Sequence, residues 1–165
     1  MEIERKYQVT RMPDLANAQV REIEQGYLCK NPVVRIRKSN EQYYLTYKGK
    51  LRSQAGQEAT HVCEEVEVPL TRKAYLHLCG KTDDNLITKT RYVLQLSDGH
   101  KAELDVFHGK LQGLVFVEVE FADLEDADRF EPPAWFGENV SGDKRYTNSF
   151  LSLQEDLSVF STLSE

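Results

Sequence analysis

The sequence predicts an α+β domain: an eight-stranded antiparallel closed β-barrel with a charged lumen and its helices packed outside. Three observations carry this reading. Eight short segments alternate between a mostly apolar face and an opposite face that, in six or seven of them, carries ionic side chains. Other segments place apolar residues at helical spacing and need an apolar sheet face to lie on. If helices cover the outer, apolar surface, the ionic rows must look at one another across the middle of a barrel. In a simple sandwich the apolar faces would meet and the charges would be wet.

Length and composition set the frame. The 165 residues suit a single domain spanning 1–165 that can bury a core without staples. A net charge of −6 argues against non-specific binding to nucleic acid or to an anionic membrane, though it permits a locally basic pocket. Cys29, Cys63 and Cys79 are odd in number and lack metal-ligand spacing, so they read as small thiols in a reducing cytoplasm. No apolar run approaches the length of a membrane span, and the charged start does not resemble a signal peptide.

The first strand, Met1–Tyr7, sets Glu2, Glu4 and Lys6 on one face and Ile3, Arg5 and Tyr7 on the other. Residues 10–22 carry Pro13 near a helix start and Leu15, Ala16 and Val20 at roughly helical spacing, which predicts a short helix. A second strand runs from Ile23 to Cys29, with Tyr27 opposite Gly26 and Leu28, and Asn31-Pro32 breaks it. The third, Val33–Lys38, puts Arg35 and Arg37 on one face, and a hairpin through residues 39–41 leads to the fourth, Tyr43–Lys48. Residues 49–59 are polar and contain glycine, which predicts a mobile loop.

A fifth strand over Val62–Pro69 aligns Glu65 with Glu67. Thr71 caps a helix running through Leu78, with Gly80 as its stop. The sixth strand, Leu86–Leu96, aligns Lys89 with Arg91 and turns at residues 97–99. Lys101–Phe107 aligns Glu103 with Asp105, Leu114–Phe121 aligns Glu118 with Glu120, and a hairpin through His108-Gly109 joins them. Asp123 caps a short helix that Pro132-Pro133 cuts off. From Asn148 onward Phe150, Leu153, Leu157, Phe160 and Leu163 recur at helical spacing, which predicts a closing amphipathic helix.

A salt-bridged wet face explains any one such strand, but it does not explain how the signs are distributed. The third, fourth and sixth strands are basic, the fifth, seventh and eighth acidic, and the first carries both. Surface decoration would mix signs within a strand, because like charges two apart on one face repel. Arginine forks and lysines suit phosphoryl oxygens. Paired carboxylates suit a hard divalent cation such as Mg²⁺ or Mn²⁺. A polyphosphate with its metal would offset the desolvation of so many enclosed ions. His61, His77, His100 and His108 fit no ligand spacing and read as surface or internally satisfied residues.

Taken in order, these motifs resemble the CYTH superfamily, the triphosphate tunnel metalloenzymes. The match runs through Glu2, Glu4 and Lys6; Arg35 and Arg37; Lys48; Glu65 and Glu67; Lys89 and Arg91; Asp105; and Glu118 with Glu120, from Met1 to about Ser152. The resemblance implies a tunnel that binds triphosphate compounds with Mg²⁺ or Mn²⁺. It implies Glu2, Glu4, Glu118 and Glu120 as metal ligands, with Asp105 and Glu65 or Glu67 holding metal-bound water. Lys6, Arg35, Arg37, Lys48, Lys89 and Arg91 would clasp phosphates, Lys6 standing at the reacting centre as well. Tyr27 matches a tyrosine near the tunnel in small bacterial members. Arg145 or Lys144 would close one mouth. Small members are often dimers, so the resemblance also raises a homodimer.

The implied reaction is metal-assisted hydrolysis of a phosphoanhydride in a small-molecule triphosphate, most simply inorganic tripolyphosphate, with nucleoside and thiamine triphosphates as further substrates. Two alternatives use the same scaffold. In an adenylate cyclase the ribose 3′-hydroxyl would attack in place of water. A non-catalytic polyphosphate or nucleotide binder would need the basic side chains but has no use for two acidic pairs.

Overall fold

The computed structural model describes residues 1–49, 52–54 and 58–161, the side chains of 52–54 excepted. One antiparallel sheet of eleven strands carries the fold. Its strands are β1 (Glu2–Val9), β2 (Gln19–Lys30), β3 (Val33–Ser39), β4 (Gln42–Lys48), β5 (Arg52–Gln54), β6 (Thr60–Cys63), β7 (Glu65–Leu70), β8 (Ile87–Gln95), β9 (Lys101–Phe107), β10 (Val115–Glu120) and β11 (Phe136–Asn139). They follow the order β5-β6-β1-β10-β9-β8-β2-β3-β4-β7, with β11 alongside β1. The expected barrel is present, with more than eight strands.

The additional strands have simple origins. The expected fifth strand is divided at Glu64: β6 pairs with β1 through Glu2↔Cys63, while β7 pairs with β4 through Lys48↔Glu65. One continuous stretch of chain thus joins the two ends of the sheet and nearly closes it. The backbone at the divide is held by the Gly49 N–H, which donates to the Glu64 carbonyl at 2.8 Å. β5 and β11 are short additions on β6 and β1. Arg52–Gln54, expected within a mobile loop, are strand; residues 50, 51 and 55–57 of that expectation lie outside the described residues.

Two helix expectations are corrected. Residues 10–22 form no helix. A turn closes from the Ala18 N–H to the Leu15 carbonyl, and β2 begins at Gln19 because β8 offers it a full ladder from Gln19↔Val93 to Gln25↔Ile87. Partnership across the sheet overrides local spacing. The closing helix is reduced to two single turns, α3 (Asn148–Leu151) and α4 (Ser158–Ser161), with Leu163 outside the described residues. Leu151, Leu157 and Phe160 make the apolar contacts, whereas Leu153 is exposed.

The other helices form as the caps require. In α1 (Arg72–Cys79) the Thr71 side chain accepts from the Ala74 N–H, and in α2 (Leu124–Arg129) Asp123 accepts from the Asp126 N–H. α1 lies over Ile36, Tyr43 and Leu45 of the outer wall with Tyr75 as its buried anchor. α2 and β11 frame a larger outer core that includes Ile3, Tyr7, Leu104, Val117, Val119 and Phe130. Burying side chains of this size stabilises the fold by about 2 kcal/mol each.

The third apolar cluster is arranged differently. Ile87, Phe107 and Phe116 share strand parity with the charged lumen row, yet they pack with Tyr146, Leu151, Leu157 and Phe160 of the C-terminal segment. Along β8, β9 and β10 the inner row therefore runs from hydrocarbon to charge: Ile87 to Lys89 and Arg91, Phe107 to Asp105 and Glu103, Phe116 to Glu118 and Glu120. The C-terminal segment thus seals one part of the lumen.

Candidate active site

Strand parity decides what faces inward, and the inner row is ionic as expected. A cavity open to solvent is lined by Glu2, Glu4 and Lys6 of β1, Tyr27 of β2, Arg35 and Arg37 of β3, Lys48 of β4, Glu65 of β7, Arg91 of β8, and Glu118 and Glu120 of β10. Lys89 and Asp105 stand behind this surface, fully buried, and reach it through Arg91. Glu67 lines a second cavity, which shares Arg37 and Arg91 with the first and opens at the strand ends carrying Gln19, Ser39 and Gln42.

Arg145 takes no part in the lining. Its guanidinium is held by Asp143, with Nε at 2.9 Å from Oδ1, and lies over Phe160. Lys144 is exposed. On that side the cavity is bounded by Thr147, Asn148 and Ser149. Sequence reasoning missed these three, and it missed His61 and Cys63. His61 lines the cavity opposite Glu4, its Nε2 donating to the Ser141 carbonyl, while the Cys63 Sγ stands 3.6 Å from Glu2 Oε1. Continuing the parity of Glu65 back through 63 and 61 would have found both.

The cations are positioned in two ways. Lys48 Nζ is 2.8 Å from Glu2 Oε1, and Lys89 Nζ is 2.7 Å from Asp105 Oδ2. Arg91 forks onto Asp105 at 2.8 and 3.0 Å, meets Glu103, and approaches Glu118 at 3.8 Å. Arg35, Arg37 and Lys6 instead donate to neutral oxygens: Thr46 Oγ1 at 3.2 Å, Gln25 Oε1 at 2.7 and 2.9 Å, and the Tyr146 carbonyl at 2.5 Å. Lys6 and Lys89 also sit over the rings of Phe116 and Phe107, at 4.3 and 5.3 Å.

The acidic side shows what so many close carboxylates require. Burial and the neighbouring Glu118 and Glu2 push Glu4 well above the usual carboxylate range. Burial works against the Glu118 charge too, but Lys6, Arg91 and Lys89 outweigh it and hold that group ionised. Burial and a hydrogen bond with Glu2 raise Glu65 to about 7. Carboxylates this close share protons when no cation separates them. Hard oxygen donors crowded in this way fit a hard divalent ion. Among the described residues no three acidic, cysteine or histidine side chains already converge on one point, since Glu2 is turned to Lys48 and Glu118 leans toward Arg91.

Fold and lumen together define the class: an antiparallel β-tunnel whose wall presents segregated rows of bases and carboxylates to a small guest. The CYTH domain profile matches residues 1–145, and the chain belongs to that family. It is 38% identical over 156 residues to the inorganic triphosphatase of Nitrosomonas europaea, covering 92% of this chain and 97% of that one. It is 38% identical over 129 residues to the inorganic triphosphatase of Acetivibrio thermocellus, covering 77% of each. A solved crystal structure of an inorganic triphosphatase superposes with a TM-score of 0.68 at 36% identity, covering 93% of this chain and 95% of its own. At 17% identity, an adenylyl cyclase candidate from Hippeastrum shares the fold alone, with a TM-score of 0.56.

Proposed function

We propose that this chain is a divalent-metal-dependent triphosphatase that hydrolyses a phosphoanhydride of inorganic tripolyphosphate inside the tunnel. One observation carries the reading. Lys6, Arg35 and Arg37 face the lumen with no carboxylate within ion-pair distance among the described residues, across from four glutamates that crowd one another. Cations free of direct ion pairs beside close-packed carboxylates suit an anion and a cation bound together. The relatives named as inorganic triphosphatases support the choice of substrate.

In this reading Glu2, Glu4, Glu118 and Glu120 would hold Mg²⁺ or Mn²⁺, which would supply charge neutralisation and a template for water. Arg35, Arg37, Lys48 and Arg91 bind the phosphoryl oxygens and orient the chain for in-line attack. Lys89 works through Asp105 to fix Arg91, and Lys6 donates to the oxygen that becomes negative. Arg35, Arg37 and Arg91 are held in place before the guest arrives, which is where electrostatic stabilisation is most effective. Glu65 and Glu67 flank the cavities, where a carboxylate can orient water, and Tyr27 packs beside Arg35. Tyr27 and His61 are the aromatic side chains lining the first cavity, a small surface on which to stack a nucleobase.

The test is incubation of the purified protein with tripolyphosphate, ATP and thiamine triphosphate under Mg²⁺ and under Mn²⁺, with identification of the products. Diphosphate plus phosphate from tripolyphosphate supports the proposal. Cyclic AMP from ATP overturns the choice of hydrolysis, and tight binding without phosphate release makes the protein a binder. Among the described residues no helix is long and apolar enough to cross a membrane.

A further inference from the structure

The residue that holds Arg37 is itself unusual. Gln25 of β2 is completely buried, and its Oε1 accepts from both Nε and Nη2 of Arg37, at 2.9 and 2.7 Å. A guanidinium can only donate, so the amide must present its oxygen to Arg37. That leaves Gln25 Nε2 buried with no acceptor among the described residues. An unmet buried donor is costly, and an apolar side chain of similar size would avoid the cost. What the amide supplies in return is direction without charge. A glutamate could align the same fork, but it would neutralise Arg37 and compete with any anion.

The contrast with Arg91 sharpens the point. Arg91 is aligned by Asp105 and Glu103, and its charge is already answered inside the wall. Arg37 opens onto both cavities of the tunnel with its charge unspent. We propose that Gln25 is a positioning residue for anion capture: its neutral amide aims Arg37 into the lumen and leaves the full guanidinium charge available to a phosphoryl oxygen. The inference rests on the triphosphate reading and deepens it.

The experiment is calorimetric titration of tripolyphosphate into metal-free wild-type, Gln25→Glu and Gln25→Met proteins, each first shown to melt cooperatively. Gln25→Glu should bind at least about tenfold more weakly, and Gln25→Met about threefold more weakly, since methionine removes alignment but adds no competing charge. A role in packing alone predicts similar losses in the two variants. Similar losses, or Gln25→Glu binding within about twofold of wild type, would overturn the assignment. If Gln25→Glu does not fold, wild-type affinity in Gln25→Met overturns it and a threefold loss supports it. Absence of phosphate release from tripolyphosphate by the wild-type protein under Mg²⁺ and under Mn²⁺ sinks the functional reading, whereas metal-free binding that is absent from the wild-type protein, or that neither variant disturbs, sinks only the role of Gln25.

Discussion

Lys89 and Asp105 meet inside the barrel wall, Nζ to Oδ2 at 2.7 Å, and neither side chain reaches solvent. The same carboxylate takes the fork of Arg91, so one aspartate anchors two tunnel cations. Burial opposes its charge, but Arg91 and Lys89 hold Asp105 below the usual range. Removing one partner of a buried pair strands the other. Asp105→Ala should therefore lose about 3–5 kcal/mol in urea denaturation. A midpoint unchanged from wild type would mean that the two cations find compensation elsewhere.

Arg35 and Arg37 should behave in the opposite way. Their partners are Thr46 and Gln25, so losing either guanidinium strands no buried charge. Arg35→Ala should keep the melting profile close to wild type, Arg37→Ala should lose less than Asp105→Ala because it unpairs only the neutral Gln25 amide, and in both kcat/KM for tripolyphosphate should fall about a hundredfold. Wild-type rates in both variants would remove the tunnel as the site of chemistry.

The acidic row can be tested without turnover. Glu118→Gln keeps shape and removes one charge opposite Lys6 and beside Glu4. Binding of Mn²⁺, followed by the electron paramagnetic resonance signal of the free ion, should weaken at least about tenfold. Equal binding by the variant and the wild-type protein would place the cation elsewhere.

Outside the tunnel lining, His100 ties the β8–β9 turn to α2. Its Nδ1 is 2.8 Å from Asp98 Oδ2 and its Nε2 is 2.9 Å from Asp126 Oδ1. Burial opposes the imidazolium, but hydrogen bonds to Asp98 and Asp126 raise it above 6.5. A raised folded value adds stability that is fully present below 6.5 and fades as pH rises through the higher value. Asp98 and Asp126 are held below 3.8, and their share is present above 3.8 and fades as pH falls. The cluster therefore helps most between these limits. His100→Gln should lower the unfolding free energy, read by urea denaturation, more at about pH 5.5 than at about pH 9, by less than about 1 kcal/mol because the aspartates are partly exposed. Equal losses at the two pH values would contradict the ion pairs.

Alternating strands made most of the wall legible in the sequence. Arg35 and Arg37, Glu65 and Glu67, or Lys89 and Arg91 fix a face by parity alone, and the sign of that face then suggests its guest. Residues 10–22 misled because spacing within thirteen residues cannot register that β8 provides a ladder for Gln19–Gln25. The divide at Glu64 was hidden because both halves keep strand composition, and only the closing of the sheet separates them. Gln25 is uncharged and stands outside the ionic rows, noted in the sequence only as a neighbour of Tyr27. Its importance arises from touching Arg37 across a strand pair, a relation that exists only once the register is set.

Through the pairs Lys48–Glu2 and Arg91–Glu118 the tunnel wall serves as its own counter-ion. A metal on Glu2 would compete with Lys48, and an anion on Lys48 would compete with Glu2. Each guest thus prepares the berth of the other, and reciprocity requires the help to be equal in both directions. Wall charges already engaged with one another keep stray single ions at a disadvantage and favour guests that come as a neutralised couple.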